Sequence, residues 1–309
     1  MSNSEHIAKY HNERIDDSAS CNAINGKVFL SKIKFFWLAS MLLIAIIGGV
    51  LTFSLEALLV FVISTGVSLC LGHSLGMHRR LIHQSYQCPL WLEYVFVHLG
   101  VIVGLAGPIG MIKTHDMRDW AQRQNECHDY FGHQQPMIID AYWQLFCDIH
   151  LDKPPKFLLE ERVKKDKVFN FMERTWMLQQ VPWMLLFFLI GGLPWVIWGV
   201  CMRVSVSILG HWFIGYFAHN QGERHWHVKG AHIQGHNVRF AAILTMGESW
   251  HNNHHAYPGS AKLGIKPDQS DLGWSVLMLL HKLGLVWDLI LPKDLPHRPE
   301  LEYLPPRSS

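Results

Sequence analysis

Of the 309 residues, 49% are hydrophobic and only 17% charged, against about 25% charged in an ordinary soluble domain, and 13 Trp and 16 Phe accompany a net charge of +2. A membrane protein is indicated, and with no Lys/Arg cluster interleaved with aromatics a nucleic-acid partner is excluded. The six cysteines (Cys21, Cys70, Cys88, Cys127, Cys147, Cys201) show no CxxC spacing, which argues against a disulfide framework or a zinc ribbon, whereas histidine is abundant at 21 residues.

Residues 1–32 are polar and lack the basic start, apolar core and cleavage site of a secretory signal. They read as a loose cytosolic tail. From Phe35 to Gly72 the only charged side chain is Glu56, and each half is long enough, at 1.5 Å per residue, to cross about 30 Å of hydrocarbon. This predicts a helical hairpin turning near Glu56. The stretch from Leu90 to Ile112 is apolar but holds Glu93 and His98 and ends in Gly107, Pro108 and Gly110, which favours a helix lying on the interface. A second hairpin fits Trp176 to Ala218, with Gly191, Gly192 and Pro194 at the turn and Arg203 as its one charge.

Lys27, Lys32 and Lys34 precede the first span, and the middle segment carries Arg79, Arg80, Lys113, Arg123, Lys153, Lys156, Lys164, Lys165 and Lys167. By the positive-inside rule both termini and the middle segment are cytosolic. The expected fold is an all-α, multi-pass integral membrane protein with four transmembrane helices in two hairpins. A membrane domain over 33–298 and a C-terminal tail over 299–309 follow the first tail. A cytosolic helical cap would hold the histidines.

Those histidines are spaced as metal ligands. In GESWHNNHHAYPG, His251, His254 and His255 stand at i, i+3 and i+4, on one helical face. His78 and His83 follow the second span, His115 follows the interfacial stretch, and His219 ends the fourth span, so all lie in one layer. Five residues at roughly 100° each turn a helix by about 140°, so His78 and His83 cannot face one metal from an undistorted α-helix. Seven imidazoles exceed the four that a structural zinc takes, and two metals are the economical reading. Imidazole suits iron, copper, nickel and zinc alike.

These motifs carry a resemblance. HRRLIH is similar to the first histidine box of the membrane stearoyl-CoA (Δ9) desaturases, His219 in GYFAH resembles their lone histidine at a span end, and GESWHNNHHAYP resembles their third box. The likeness runs from about residue 35 to about 295, including DLGWSVLMLLHKLGLVWDLILP. Members of that family use an all-histidine di-iron centre to activate oxygen and take hydrogen from an unactivated carbon of an acyl chain held in a bent tunnel. The resemblance implies a similar two-iron centre here, with O2 as co-substrate.

The chain also departs from that pattern. The three histidine positions of the second box, HRxHH, are here His115, Arg118 and Asp119, and an asparagine that holds a water ligand in the family aligns with Gly215. The family's usual glycine in the third box is Ser249. Asp119 shares a face with His115 and offers a carboxylate, an acceptable iron ligand. Arg118 cannot bind a metal and opposes a cationic cluster unless Asp116 or Asp119 pairs with it. The expected ligands are therefore His78, His83, His115, Asp119, His219, His251, His254 and His255. Of the further histidines, His73, His128, His133, His211, His225, His227, His232 and His236, each reads singly as hydrogen-bonded or solvated, and His236 is best placed to orient a ligand. Glu248 and Asp116 are candidates to accept the second N–H of a ligating imidazole.

The expected activity is desaturation of a long acyl chain carried on coenzyme A, acyl-carrier protein or lipid. No GxGxxG or HPGG motif is present, so two electrons come from a separate donor of ferredoxin, rubredoxin or cytochrome b5 type. A hydroxylase on the same scaffold and a non-catalytic metal- or lipid-binding relic are the alternatives.

Overall fold

A computed structural model describes residues 14–18 and 20–305 of the chain. The protein is mostly helical, and three helices are long and apolar enough to cross a membrane: α1 (Lys32–Leu51), α2 (Leu55–Ile82) and a 41-residue stretch, Gln180–Asn220. Their outward faces are apolar, with Val50 79% and Leu189 82% exposed, which suits lipid and not water. Between α1 and α2 the helix breaks at Thr52, Phe53 and Ser54. Thr52 Oγ1 donates back to Gly48 O at 2.6 Å, and Ser54 caps α2 by accepting from Ala57 N. Glu56, in the first turn of α2, suits the positive end of the helix dipole.

From Ser68 to Ile82, α2 continues as a π-helix, with His83 N–H donating to His78 O at 3.0 Å. Gly72 and Gly76 bring its backbone against α3 (Leu90–Val101). A Cβ at Gly72 would stand 2.2 Å from the carbonyl carbon of Leu99, and one at Gly76 2.6 Å from that of Phe96. At 12 residues, about 18 Å, α3 is too short to span. It buries Val97 and Val101 against Met77, Leu81 and Ile112, and Phe96 against Leu75 and Tyr86, and exposes Leu90, Trp91 and Val95.

Next come α4 (Pro108–Arg123), whose first N–H groups are received by Glu173, α5 (Met137–Phe146) and α6 (Lys167–Arg174). The 41-residue stretch, α7, is interrupted at Gly192, whose φ of 65° and ψ of −158° are not helical. The chain folds back there: Arg203 donates to Gln180 Oε1 at 2.6 Å, although 23 residues of straight helix would measure about 35 Å. Arg203 is buried and also donates to the carbonyls of Gly199 and Ile102, so this charge inside an apolar helix is fully bonded. The last helices are α8 (His251–Ala256) and α9 (Leu272–Lys282).

Three expectations need correction. The protein is not purely helical, because two-stranded antiparallel sheets join Asn22–Leu30 to Cys147–Lys153, Ile15–Asp16 to Lys156–Phe157, and Trp226–Val228 to Leu301–Tyr303. The tails expected over 1–32 and 299–309 are therefore paired with the body where they are described, and Ala23 and Ile15 pack with Trp120 and Leu151. Residues 1–13 and 306–309 lie outside the described residues. Finally, Arg79 and Arg80 are not loop charges. Both are buried, Arg79 on Asp271 (2.9 Å) and Arg80 on Glu93 (3.0 Å), and they tie α2 to the C-terminal segment and to α3.

Candidate metal centre

The seven histidines expected from the sequence assemble into two adjacent groups. His78 and His83 from α2, His115 from α4 and His254 from α8 form the first, and His219 from α7 with His251 and His255 from α8 form the second. Within each group the nitrogen atoms all lie within 4.8 Å of one another. A metal at about 2.1 Å from each imidazole nitrogen needs separations of at most about 4.2 Å, so small side-chain movements suffice. Several pairs are already closer: His83 Nε2 to His115 Nε2 is 3.3 Å, and His251 Nε2 is 3.0 Å from both His219 Nε2 and His255 Nε2. The α8 helix joins the groups, with the His251 and His254 rings 5.7 Å apart.

From an undistorted α-helix His78 and His83 could not face one metal, which left them to serve two metals or to straddle a helix end; here the helix is a π-helix that ends at His83, and both rings lie in one group. Hydrogen bonds spanning five residues stack residues five apart, one turn above the other, and both imidazoles reach the first group. The five-residue spacing of His73, His78 and His83 was the signal for that period.

Partners on the outer nitrogens prepare several rings for metal. His219 Nδ1–H donates to Gly215 O at 2.7 Å, which leaves the Nε2 lone pair facing His251. His78 Nδ1 lies 2.7 Å from Glu248 Oε2, and His115 Nδ1 3.2 Å from Asp116 Oδ1. Both acids are thus where the sequence suggested. Burial, reinforced by the neighbouring imidazoles, pushes His83, His254 and His255 well below the ordinary histidine range and His251 down to about 3, so these rings are neutral at physiological pH. Burial disfavours a charge on Glu248, but His78 and Arg79 outweigh it and hold the carboxyl well below its usual range. Imidazole nitrogens from four helices, converging within each of the two groups, fit a transition metal.

Asp119 does not join either group. Its carboxylate pairs with Arg123 at 2.8 Å, one turn along α4, which is where a carboxylate with a cation at i+4 is drawn. Arg118 pairs with neither Asp116 nor Asp119. It turns to His133 Nε2 (2.6 Å), Gln144 Oε1 (2.7 Å) and Phe131 O, and Asp140 receives His133 Nδ1 at 2.9 Å.

Beside the ligands, His133, read from the sequence as hydrogen-bonded or solvated, is hydrogen-bonded to Asp140 and Arg118, and Gln122 was not foreseen. His133 stacks on His219 at 5.2 Å with 11° between the rings, filling the space beside Gly215. Gln122 places its amide 3.0 Å from His219 Nε2. His133 follows a one-turn helix in a left-handed conformation (φ 55°), so periodicity gave no sign of it, whereas Gln122 stands seven residues after His115, two turns along the same face. His236 contacts the site only through its backbone N–H to Ala218 O.

No family model matches the chain. Curated relatives do. The chain is 31% identical over 235 residues to an acyl-CoA C20 Δ5-desaturase of Anemone leveillei, covering 74% of the chain and 72% of the relative. It is 31% identical over 252 residues to an sn-1 stearoyl-lipid 9-desaturase of Synechocystis, covering 77% and 72%, and 30% identical over 242 residues to a Δ9 desaturase-like protein of Arabidopsis thaliana, covering 76% and 77%. Helices able to cross a membrane, two groups of converging imidazoles and these relatives agree: the chain belongs to the acyl desaturase family of membrane oxidoreductases.

Proposed function

We propose that the chain desaturates a long acyl chain on coenzyme A, acyl-carrier protein or a lipid at a two-iron centre held by His78, His83, His115 and His254 on one side and His219, His251 and His255 on the other. When bound, an iron pair would supply oxidising power from O2, the two hydrogens lost by adjacent methylenes leaving with O2, two electrons and two protons as two waters. The remaining work falls to the chain. Glu248 and Asp116 hold His78 and His115 in orientation, and the carbonyl of Gly215 fixes the tautomer of His219. Arg79 keeps Glu248 ionised while its own charge is met by Asp271. Arg118, whose charge would oppose a cationic cluster, is engaged by Gln144 and His133, which favours catalysis over a non-catalytic metal- or lipid-binding relic.

The second group has one histidine fewer, and Gln122 is the neutral side chain at its open edge. For the membrane arrangement, the reversal at Gly192 divides α7 into two antiparallel segments, and counting the turn at 175–179 with the first of them, we read four spans in two hairpins with the histidines at one end. That end and both termini face the cytosol in this reading, where a separate ferredoxin, rubredoxin or cytochrome b5 type donor would dock.

The observation that carries this proposal is the pair of adjacent imidazole groups with their nitrogens converging. Its test is joint: metal analysis of the purified chain after anaerobic reconstitution, and fatty-acid profiling by gas chromatography and mass spectrometry of cells with and without the gene. Two irons per chain and a new unsaturated product are expected. One metal or none, together with an unchanged profile, refutes it.

A further inference from the structure

Beside the ligands, a second pair of histidines joins α2 to α7. His73 precedes His78 by the same five-residue step that separates His78 from His83, so the π-helix stacks the three in one row. His211 precedes His219 by two turns of α7. The His73 and His211 rings meet edge to face at 5.1 Å, one turn along α2 from the first group. His73 Nδ1 is buried and has no hydrogen-bond partner. On the same face as His211 and one turn before it, Ser207 is 4% exposed and its Oγ also lacks a partner.

His211 is accessible although His73, His78, His133 and Arg118 all lie within electrostatic reach of it. Its ring contact with His73 puts the two side chains at one place between α2 and α7. Leaving a buried donor or acceptor unmade costs about 1–3 kcal/mol, and a saturated hydrocarbon chain offers nothing to satisfy it. A hydroxyl both donates and accepts, and two imidazoles 5 Å apart at their centres can bracket one.

We propose that His73 and His211 form a polar subsite for a hydroxyl group carried on the acyl substrate, several carbons from the carbon that reacts. The acyl class rests on the desaturase reading above. A site built to hydrogen-bond an OH discriminates against the analogue lacking it, because its own polar groups are then left unpaired. The chain thus selects hydroxylated over plain acyl chains.

The test is equilibrium binding to the purified full-length chain in detergent without metal, read as displacement of a fluorescent fatty acid by octadecanoic acid and by monohydroxyoctadecanoic acids with the hydroxyl at successive carbons. At one position the hydroxy acid should bind about tenfold more tightly than octadecanoic acid. That ratio should fall to about one in His211→Leu and in His73→Leu and persist in His211→Gln, with circular dichroism checking that each variant is folded. A ratio near one for every isomer in the parent chain, or a preference that survives both leucine variants, overturns the proposal. Feeding the same acids to cells that express the chain separates the two readings. Selective binding with no double bond in any acid sinks the desaturase reading and leaves the subsite standing, whereas desaturation with no selectivity in binding sinks the subsite alone.

Discussion

Replacing Glu248 by glutamine tests whether the acids around the histidines set metal affinity. Glu248 Oε2 lies 2.7 Å from His78 Nδ1, and both side chains are largely out of solvent. Glutamine keeps the shape and an acceptor oxygen but removes the charge. A hydrogen bond to a charged group is worth about 1.5–3 kcal/mol and a neutral one about 0.5–1.5, so the loss is about 1–1.5 kcal/mol. Since 1.4 kcal/mol is a factor of ten, affinity at the first group should fall about tenfold, the lower end of the range for groups that orient a ligand. Arg79 stays paired with Asp271 at 2.9 Å, so the variant strands no buried cation. Because the carboxyl is held well below its usual range, it is ionised throughout the neutral region and the loss should be the same at pH 6.5 and pH 8.5. Anaerobic cobalt(II) titration against a competing chelator, followed by the visible spectrum, measures both groups, and the second should not change. An affinity at the first group within twofold of the parent at both pH values would refute the reasoning.

Other expectations follow from the same geometry. Asp119→Ala should keep its full metal content by elemental analysis, since that carboxylate serves Arg123, and lose at most about 1 kcal/mol of stability. Arg118→Ala should also keep its metal but lower the thermal midpoint, because His133 and Gln144 lose their donor, at about 1–3 kcal/mol for an orphaned buried group. Gly72→Ala should abolish accumulation of folded protein, read by detergent-solubilised fluorescence size exclusion, because its Cβ would meet α3 backbone at 2.2 Å. For pH, His251 has a folded value of about 3 against 6.5 unfolded, so both states are neutral above pH 6.5 and stability is flat there. Below pH 6.5 the unfolded state takes a proton that the folded state refuses, and the metal-free chain should lose about 1.4 kcal/mol per pH unit from this residue alone, measured by denaturation between pH 7.5 and 5.5.

The seven histidines were legible because ligand spacing is a local property: i, i+3 and i+4 on a helix, and single histidines at the ends of apolar runs. The long apolar helices were legible for the same reason, since a run without charge declares itself by composition. What escaped depends on contacts between distant residues. The π-helix arises where Gly72 and Gly76 let α3 approach, and no α-helical wheel can show that a five-residue step is one turn. Asp119 looked like a ligand because the acid was judged against His115, four residues back, while the competing cation, Arg123, stood four residues ahead. The sheets escaped because Asn22–Leu30 finds its partner, Cys147–Lys153, more than a hundred residues later.

Arg14 gives the assembly an order in time. Its guanidinium bridges Asp116 at 2.6 Å, Glu160 at 2.8 Å and the carbonyl of Ile82, and through Asp116 it supports His115. It leaves the ribosome before every apolar segment, yet each of its three partners emerges later, the last of them at residue 160. Arg14 is therefore a latch that waits for α2, α4 and Glu160 and closes the first histidine group from behind. A change at Arg14 reaches the metal ligands through this latch, at a distance from any residue of the two histidine groups.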